Sequence, residues 1–595
     1  MTTLTGRRID PITAQVIGGA LENIAIDMGH RLARMSYSSI IRESEDFGAA
    51  LLDAQGRQLA ESVDSTPLQL GPIPGYMRGI FGLLEERGEV IEEGDVIMHN
   101  SAYHGASHGP DVGFCVPAFH QGHLIGFAFT TAHHLDIGSL HPGSTGIVDA
   151  VDAYAEGLQF KAIKVYQQGR KNEAVWQILR DNIRASQMVV GDMEAQIAAC
   201  QHGAARYIEL VQHYGLETVT AASEEQMAYS ERMLRTQIEK LPDGVYQAEG
   251  FIDGYVDSLK AEEKNLRIAV TLTVSGSDIT VDFTGTSPQV DLPINMPFIG
   301  TVDIAVYLVI RSILLDSALI DYVPQNDGLT RPIHITAPKG TLTNPNFPAP
   351  TIARFCPGNI VADTVMHALA QVAPNNVSAG VGNLQVVAYS GLEAENYWVY
   401  MDITEGSYGG RAGKDGMDAV DTLFANTRNN PVEDIESHYP LRVTRYELRE
   451  DVGGAGEWRG GLGSIREIQF LQPGRFGVEG DGHCFAPWGV FGGLEGTTGD
   501  LVLISPEGDE KHLPSKIPDR RSLPGDTLRT VSPCGGGYGD PLLRDPDRVL
   551  NDVLDGFVSL QNARKLYGVV IADTTVDLKA TKESRASLQR ERETK

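Results

Sequence analysis

The chain has 595 residues, 42% hydrophobic and 21% charged, which supplies apolar material for several packed cores and rules out disorder as its main character. With 49 Lys+Arg against 78 Asp+Glu the formal net charge is −29, so nucleic-acid backbones and anionic lipid surfaces are poor electrostatic matches. Five cysteines, an odd number with no CxxC pair, speak against a disulfide framework or a cysteine-held zinc and point to a reducing, cytoplasmic setting.

The first residues contain two arginines but no apolar run of the kind a signal peptide needs. Asp10-Pro11 supplies an N-cap and a proline at the first helical position. Ile12, Val16, Ile17, Leu21, Ile24 and Met28 follow at helical spacing, which predicts an amphipathic helix over 10–35. Residues 49–52 read as a strand and 53–57 as a turn. Residues 111–135 alternate short apolar runs about His120-Gln121-Gly122-His123, the pattern of a β-hairpin. Helices are predicted over about 181–214 and 224–240. Composition shifts at Leu241-Pro242-Asp243-Gly244. Strands at 268–274 and 279–283 then flank a Ser275-Gly276 turn.

The apolar stretch 302–320 is interrupted by Asp303, Arg311 and Asp316, so it reads as a buried helix, too short and too charged to span a bilayer. Residues 340–358, rich in Pro and Asn, read as an extended loop. Glycine numbers 65, about 11% against a background of roughly 7%. Residues 441–540 show short β runs between glycine clusters, 546–565 predicts a helix, and the charged last twenty residues read as a frayed tail. The fold class predicted is α+β. It is a large multidomain mixed α/β chain with a helical and hairpin N-terminal domain (1–240) carrying a His/Asp site, a middle α+β domain (241–440), a Gly-rich β domain (441–545) and a C-terminal helix and tail (546–595).

Half of the 16 histidines fall between His99 and His141, with aspartates among them. Imidazole and carboxylate together suit a divalent ion such as zinc or manganese. His108 and Asp111 are close enough to grip one ion from a loop. His133 can add a third ligand from the paired strand and Asp46 a fourth, leaving a position for water. Asp136 can orient a histidine by accepting its other N–H. An HxxD spacing is weak on its own, and the alternative of ordinary satisfied polar residues stays open. HExxH and GxxxxGK[ST] do not occur. The glycine runs 453–456, 460–463, 489–493 and 535–539 lack nucleotide-binding spacing. They read as turns, bulges and close packing, with a channel or subunit surface as the lesser reading. Cys115 and Cys534 have no activating neighbour in sequence and read as inert thiols.

From Asp10-Pro11 to about Val570 the chain resembles the hydantoinase B/oxoprolinase family. The resemblance is carried by Arg42-Glu43-Ser44-Glu45-Asp46-Phe47, Gly94-Asp95-Val96, the His108 and Asp111 pair and Ala132-His133-His134-Leu135-Asp136-Ile137-Gly138. Further on come Glu156-Gly157-Leu158, Asp181-Asn182-Ile183-Arg184, Gly191-Asp192 with Ala195-Gln196, the DFTGTS run at 282–287, RGGLG at 459–463 and GGGYGDP at 535–541. The resemblance implies a metal held by His108, Asp111 and His133, with Asp46 as further ligand; zinc is the first choice and manganese the second. It also implies His134 or Asp136 as general base or orienting residue. One departure is local: where relatives read Asn-Asp-Pro-Tyr, this chain has Asn100-Ser101-Ala102-Tyr103. The family further implies an A-type partner carrying the ATPase site, in a heterotetramer or larger assembly. The resemblance implies that the partner phosphorylates a cyclic amide carbonyl and that this subunit delivers water, opening a hydantoin or lactam ring. A subunit of an acetone- or acetophenone-type carboxylase and a non-catalytic scaffold are the alternatives.

Overall fold

The computed structural model describes residues 9–144, 147–316 and 322–593. Helices and several sheets alternate through it, the mixed α/β character expected from sequence. Helix α1, Pro11–Met35, starts where its cap predicts, with the Asp10 carboxylate accepting the Thr13 N–H. Ile17, Leu21, Ile24, Met28 and Leu32 are buried, whereas the predicted stripe members Ile12 and Val16 are exposed.

The first sheet has seven antiparallel strands: β1 (Phe47–Asp53), β2 (Gln58–Glu61), β3 (Val96–His99), β4 (Asp111–His120), β5 (His123–His133), β6 (Ile163–Gln167) and β7 (Arg170–Lys171). Their spatial order is β2-β1-β5-β4-β3-β6-β7. A one-turn helix, α2 (Pro67–Leu70), packs on β1 and β5, and the long helices α3 (Ser186–Tyr214) and α4 (Leu216–Ile238) pack against α1. A second sheet holds β8 (Gly244–Gly254), β9 (Lys264–Ser275), β10 (Asp278–Asp282) and β11 (Ile333–Thr336) in the order β11-β10-β9-β8. The helices α5 (Asp303–Leu314) and α6 (Phe355–Ala370) pack on each other, and α6 covers β8 and β9. Two further antiparallel sheets occupy 385–531 and share a core that includes Tyr389, Tyr400, Phe470, Phe476 and Leu501. Among the described residues no helix is long and apolar enough to cross a membrane.

Four predicted elements differ in detail. The helix expected from 181 is broken into Glu173–Asn182 and α3, because the Asp136 carboxylate takes the Arg184 N–H at 2.6 Å and Ala185 adopts φ 51°. The extended loop ends at Arg354, since 355–358 form the first turn of α6. The helix expected over 546–565 is two, Pro546–Leu554 and Leu560–Tyr567, parted at Gly556, whose φ is 83°. The charged tail is not frayed: Leu578–Glu593 is a helix, held where Arg585 donates to the carbonyls of Tyr567 and Arg544. Of the 302–320 stretch, 317–320 lie outside the described residues.

The glycine runs pack on one another through backbone. Gly454 donates to Gly535 at 3.0 Å, Gly535 to Gly461 at 2.9 Å and Gly537 to Leu494 at 2.8 Å. A Cβ on Gly460 would stand 1.9 Å from the Gly535 oxygen, a backbone atom that cannot swing aside. Gly460→Ala is therefore expected to destabilise the chain by about 3 kcal/mol. Gly19→Ala, in α1 with nothing within 4 Å, should be neutral or slightly stabilising. Equal melting temperatures for the two variants would contradict this packing.

Candidate metal centre

The site forms at one end of the first sheet, where β1, β5 and β4 lie side by side. Gln121 and Gly122 have φ of 51° and 76°, the left-handed values of a tight two-residue hairpin turn. The ladder from this turn pairs His120 with His123 and Phe119 with Leu124. A bulge then slips the register by one, so that Ala118 pairs with Gly126 and, at the far end, Asp111 faces His133. Without that slip Asp111 would face Ala132, and His133 would belong to the wrong pleat. Just before β1, the Asp46 carbonyl accepts the His133 N–H at 3.1 Å, which brings Asp46 to the same edge. His108 lies in the turn leading into β4, its carbonyl accepting the Asp111 N–H at 3.2 Å.

One ligand atom each from His108, Asp111 and His133 all lie within 4.8 Å of one another, and all three residues are buried. Asp111 Oδ1 is 3.1 Å from His108 Nε2 and 2.9 Å from His133 Nδ1. His108 Nδ1 is 2.8 Å from the Ile352 carbonyl, which can only accept, so that nitrogen carries the proton. Burial pushes His108 down to about 4, so it is neutral and its Nε2 lone pair faces Asp111 Oδ1 and His133 Nδ1, the latter at 3.3 Å. His133 Nε2 meets Ser144 Oγ at 2.6 Å. His133 Nδ1 donates to Asp111 Oδ1, which can only accept. In the other tautomer of His133, with its N–H on the Ser144 side, three atoms converge as lone-pair donors, the donor set of a divalent cation.

Asp111 is held by more than histidine. Its Oδ2 accepts from Arg354 Nη2 at 2.8 Å and from Ser107 Oγ, while Gln69 Nε2 donates to Oδ1 at 2.8 Å and to Asp46 Oδ1 at 3.1 Å. Burial alone would raise the Asp111 carboxyl, but the hydrogen bond from His133 and the charge of Arg354 hold it well below the usual carboxylate range. Burial pushes Asp46 up to about 6, with the charge of Asp111 adding and His133 opposing. A cavity of about 10 Å³, the room of one water-sized sphere, is lined by Asp46, His108, His133 and Arg354 and walled by Leu68, Phe355, Val386, Met401 and Ile403.

The structure thus gathers Asp46, His108, Asp111 and His133. His134 and Asp136 look elsewhere. His134 Nε2 bonds Gln196 Oε1 at 2.9 Å, and Gln196 Nε2 in turn donates to the Val112 carbonyl. Asp136 is ion-paired with Arg184 at 3.1 Å. Sequence reading missed Gln69, Ser107, Ser144 and Arg354, whose only trace was a polar residue alone between apolar ones, as in Leu68-Gln69-Leu70 and Ala353-Arg354-Phe355, and it placed Glu156 only within the run Glu156-Gly157-Leu158, with no role. A larger groove of about 680 Å³, between α1 and α4, includes none of these residues.

The family pattern described as hydantoinase B/oxoprolinase matches residues 10–541. The chain belongs to this family. It is 67% identical over 582 residues to a protein of Pseudomonas sp. (strain NS671) provisionally named as the B component of a D-/L-hydantoinase, covering 97% of this chain and 98% of that one. It is 33% identical over 594 residues to the beta chain of the caprolactamase of Pseudomonas jessenii, covering 97% and 99%. The solved ATP-dependent caprolactamase of that organism superposes with a TM-score of 0.86 over 98% of this chain and 100% of its own, at 31% identity. A nucleotide-free acetone carboxylase superposes with a TM-score of 0.89 over 100% of this chain and 85% of its own, but at 20% identity that likeness is one of fold alone.

Proposed function

We propose that this chain is the metal-bearing subunit of an ATP-dependent cyclic amidohydrolase that opens a hydantoin or lactam ring. The observation that carries the reading is the convergence of His108 Nε2, Asp111 Oδ1 and His133 Nδ1 beside a buried cavity of a hydantoinase B/oxoprolinase chain. His108, Asp111 and His133 would hold the ion, with Asp46 as a further ligand; zinc is the first choice and manganese the second. When bound, such an ion supplies Lewis acidity that lowers the pKa of water from 15.7 toward about 7.

The chain's own residues do the rest. The Ile352 carbonyl fixes the tautomer of His108. Arg354 and Ser107 occupy Oδ2 of Asp111, leaving Oδ1 turned to the histidines. The apolar wall of Leu68, Phe355, Val386, Met401 and Ile403 excludes bulk water, which strengthens every charge inside. His134 and Asp136 act on the frame: one braces β4 through Gln196, the other fixes the start of α3 through Arg184. A resonance-stabilised ring amide is a poor electrophile, so the reading requires that its carbonyl oxygen be phosphorylated by an A-type ATPase partner. Relatives that are themselves named as one subunit of an enzyme support a partner; the reading puts the two in a heterotetramer or larger cytoplasmic assembly.

The chain alone is expected to show no ATP hydrolysis, since its sequence has no phosphate-cradling motif; robust ATPase activity from the pure chain would contradict the division of labour. Mixed with its partner, ATP and a panel of hydantoins and lactams, it should give ring-opened product without bicarbonate. A strict need for bicarbonate and a ketone would make it a carboxylase subunit instead.

A further inference from the structure

We propose that Glu156 is a positioning residue of the metal centre, fixing the segment 351–354 that supplies an acceptor to His108 and a guanidinium to Asp111. The inference rests on the metal reading above and concerns a residue outside the hairpin that carries the ligands.

Residues 344–350 read Asn-Pro-Asn-Phe-Pro-Ala-Pro. Three prolines without N–H groups keep this stretch out of any sheet ladder. The first consecutive donors after them are the N–H groups of Thr351 and Ile352, and both go to one oxygen, Oε1 of Glu156, the Ile352 bond at 2.7 Å. The Thr351 hydroxyl adds a third donor, to Oε2 at 3.4 Å. Glu156 is 5% exposed, and these three hydrogen bonds all come from N–H and O–H donors of this one segment. Burying a carboxyl without a cation is costly. That cost is large for a residue whose only task would be to fill space.

What lies downstream gives the clamp its use. The carbonyl of Ile352, the residue whose N–H Glu156 holds, accepts the Nδ1–H of His108 at 2.8 Å. Two residues on, Arg354 Nη2 reaches Asp111 Oδ2 at 2.8 Å. One carboxylate therefore sets the position of both outer partners of the ion-facing residues. Groups that orient metal ligands in this way typically change metal affinity about 10–100-fold when lost.

The test is zinc affinity of the full chain, measured by competition with a chromophoric chelator, together with the visible spectrum of the cobalt-loaded chain. Glu156→Ala should weaken zinc about 10–100-fold and alter the cobalt spectrum. Glu156→Gln keeps an acceptor at the Oε1 position, so it should bind zinc nearly as the unaltered chain does and keep its spectrum. If Glu156→Ala does not fold, Glu156→Asp, one methylene shorter, serves the same comparison. A purely structural clamp would lower the melting temperature of the metal-free chain and leave affinity and spectrum unchanged, and that result overturns the proposal. Failure of the unaltered chain to bind zinc overturns the metal reading, and this inference with it.

Discussion

His108→Ala is expected to remove the ion and abolish turnover while leaving the fold in place, whereas Asp111→Ala is expected to cost the fold as well. The two residues look equivalent in an HxxD spacing, but their surroundings differ. His108 Nδ1 bonds the Ile352 carbonyl, and leaving that carbonyl unpaired costs about 1–2 kcal/mol. Asp111 is the hub: His133, Ser107, Gln69 and Arg354 all bond it, and Arg354 is 1% exposed. Removing Asp111 strands a buried guanidinium, a change that costs about 3–5 kcal/mol. Elemental analysis should find about one zinc per unaltered chain and none in either variant. Thermal unfolding of the metal-free proteins should place Asp111→Ala clearly below His108→Ala. Stoichiometric zinc retained in both variants would end the ligand assignment, and equal melting would deny Asp111 its structural role.

How much of this site was legible in the sequence follows from which contacts are local. His108 and Asp111 share one turn, and Asp111 and His133 share one hairpin, so residue type and spacing placed them together. The one-residue slip that makes Asp111 face His133 was not legible. It falls beside Gly126, where a Cβ would stand 2.2 Å from the Leu52 carbonyl oxygen and 2.7 Å from the Tyr207 ring, both from other elements. Gln69 and Arg354 reach Asp111 across 42 and 243 residues, and Glu156 reaches Thr351 across 195. No periodicity reports contacts of that span.

The same division runs through the fold. Helix α1 and the two predicted hairpins carry their own cap, turn and alternation, and they form where the sequence places them. The break before α3 comes from Asp136, some 48 residues earlier in the chain, taking the Arg184 N–H. The C-terminal helix Leu578–Glu593 has almost no apolar stripe, only Thr581 being buried, so periodicity had nothing to read. Its order comes from Arg585 on the carbonyls of Tyr567 and Arg544.

Arg354→Met is expected to lower the stability of the metal-free chain by about 3–5 kcal/mol, because it leaves the buried carboxylate of Asp111 without its cation. The guanidinium also stacks over Phe424 at 5.6 Å, a contact that methionine partly replaces. Zinc should then raise the melting temperature of the variant more than that of the unaltered chain. Two effects compete. Losing Arg354 loosens Asp111, which weakens metal binding; it also removes a positive charge from beside a divalent cation, which strengthens it. The second should win, since Ser107, Gln69 and the hairpin backbone still hold Asp111, whereas a full unit of charge in a dry site is gone. Arg354→Lys separates the two effects. It restores the charge without the planar fork, so its zinc increment should return toward that of the unaltered chain. An increment in Arg354→Met no larger than in the unaltered chain would show that Arg354 acts on the centre through geometry, and that its charge is spent on Asp111 alone.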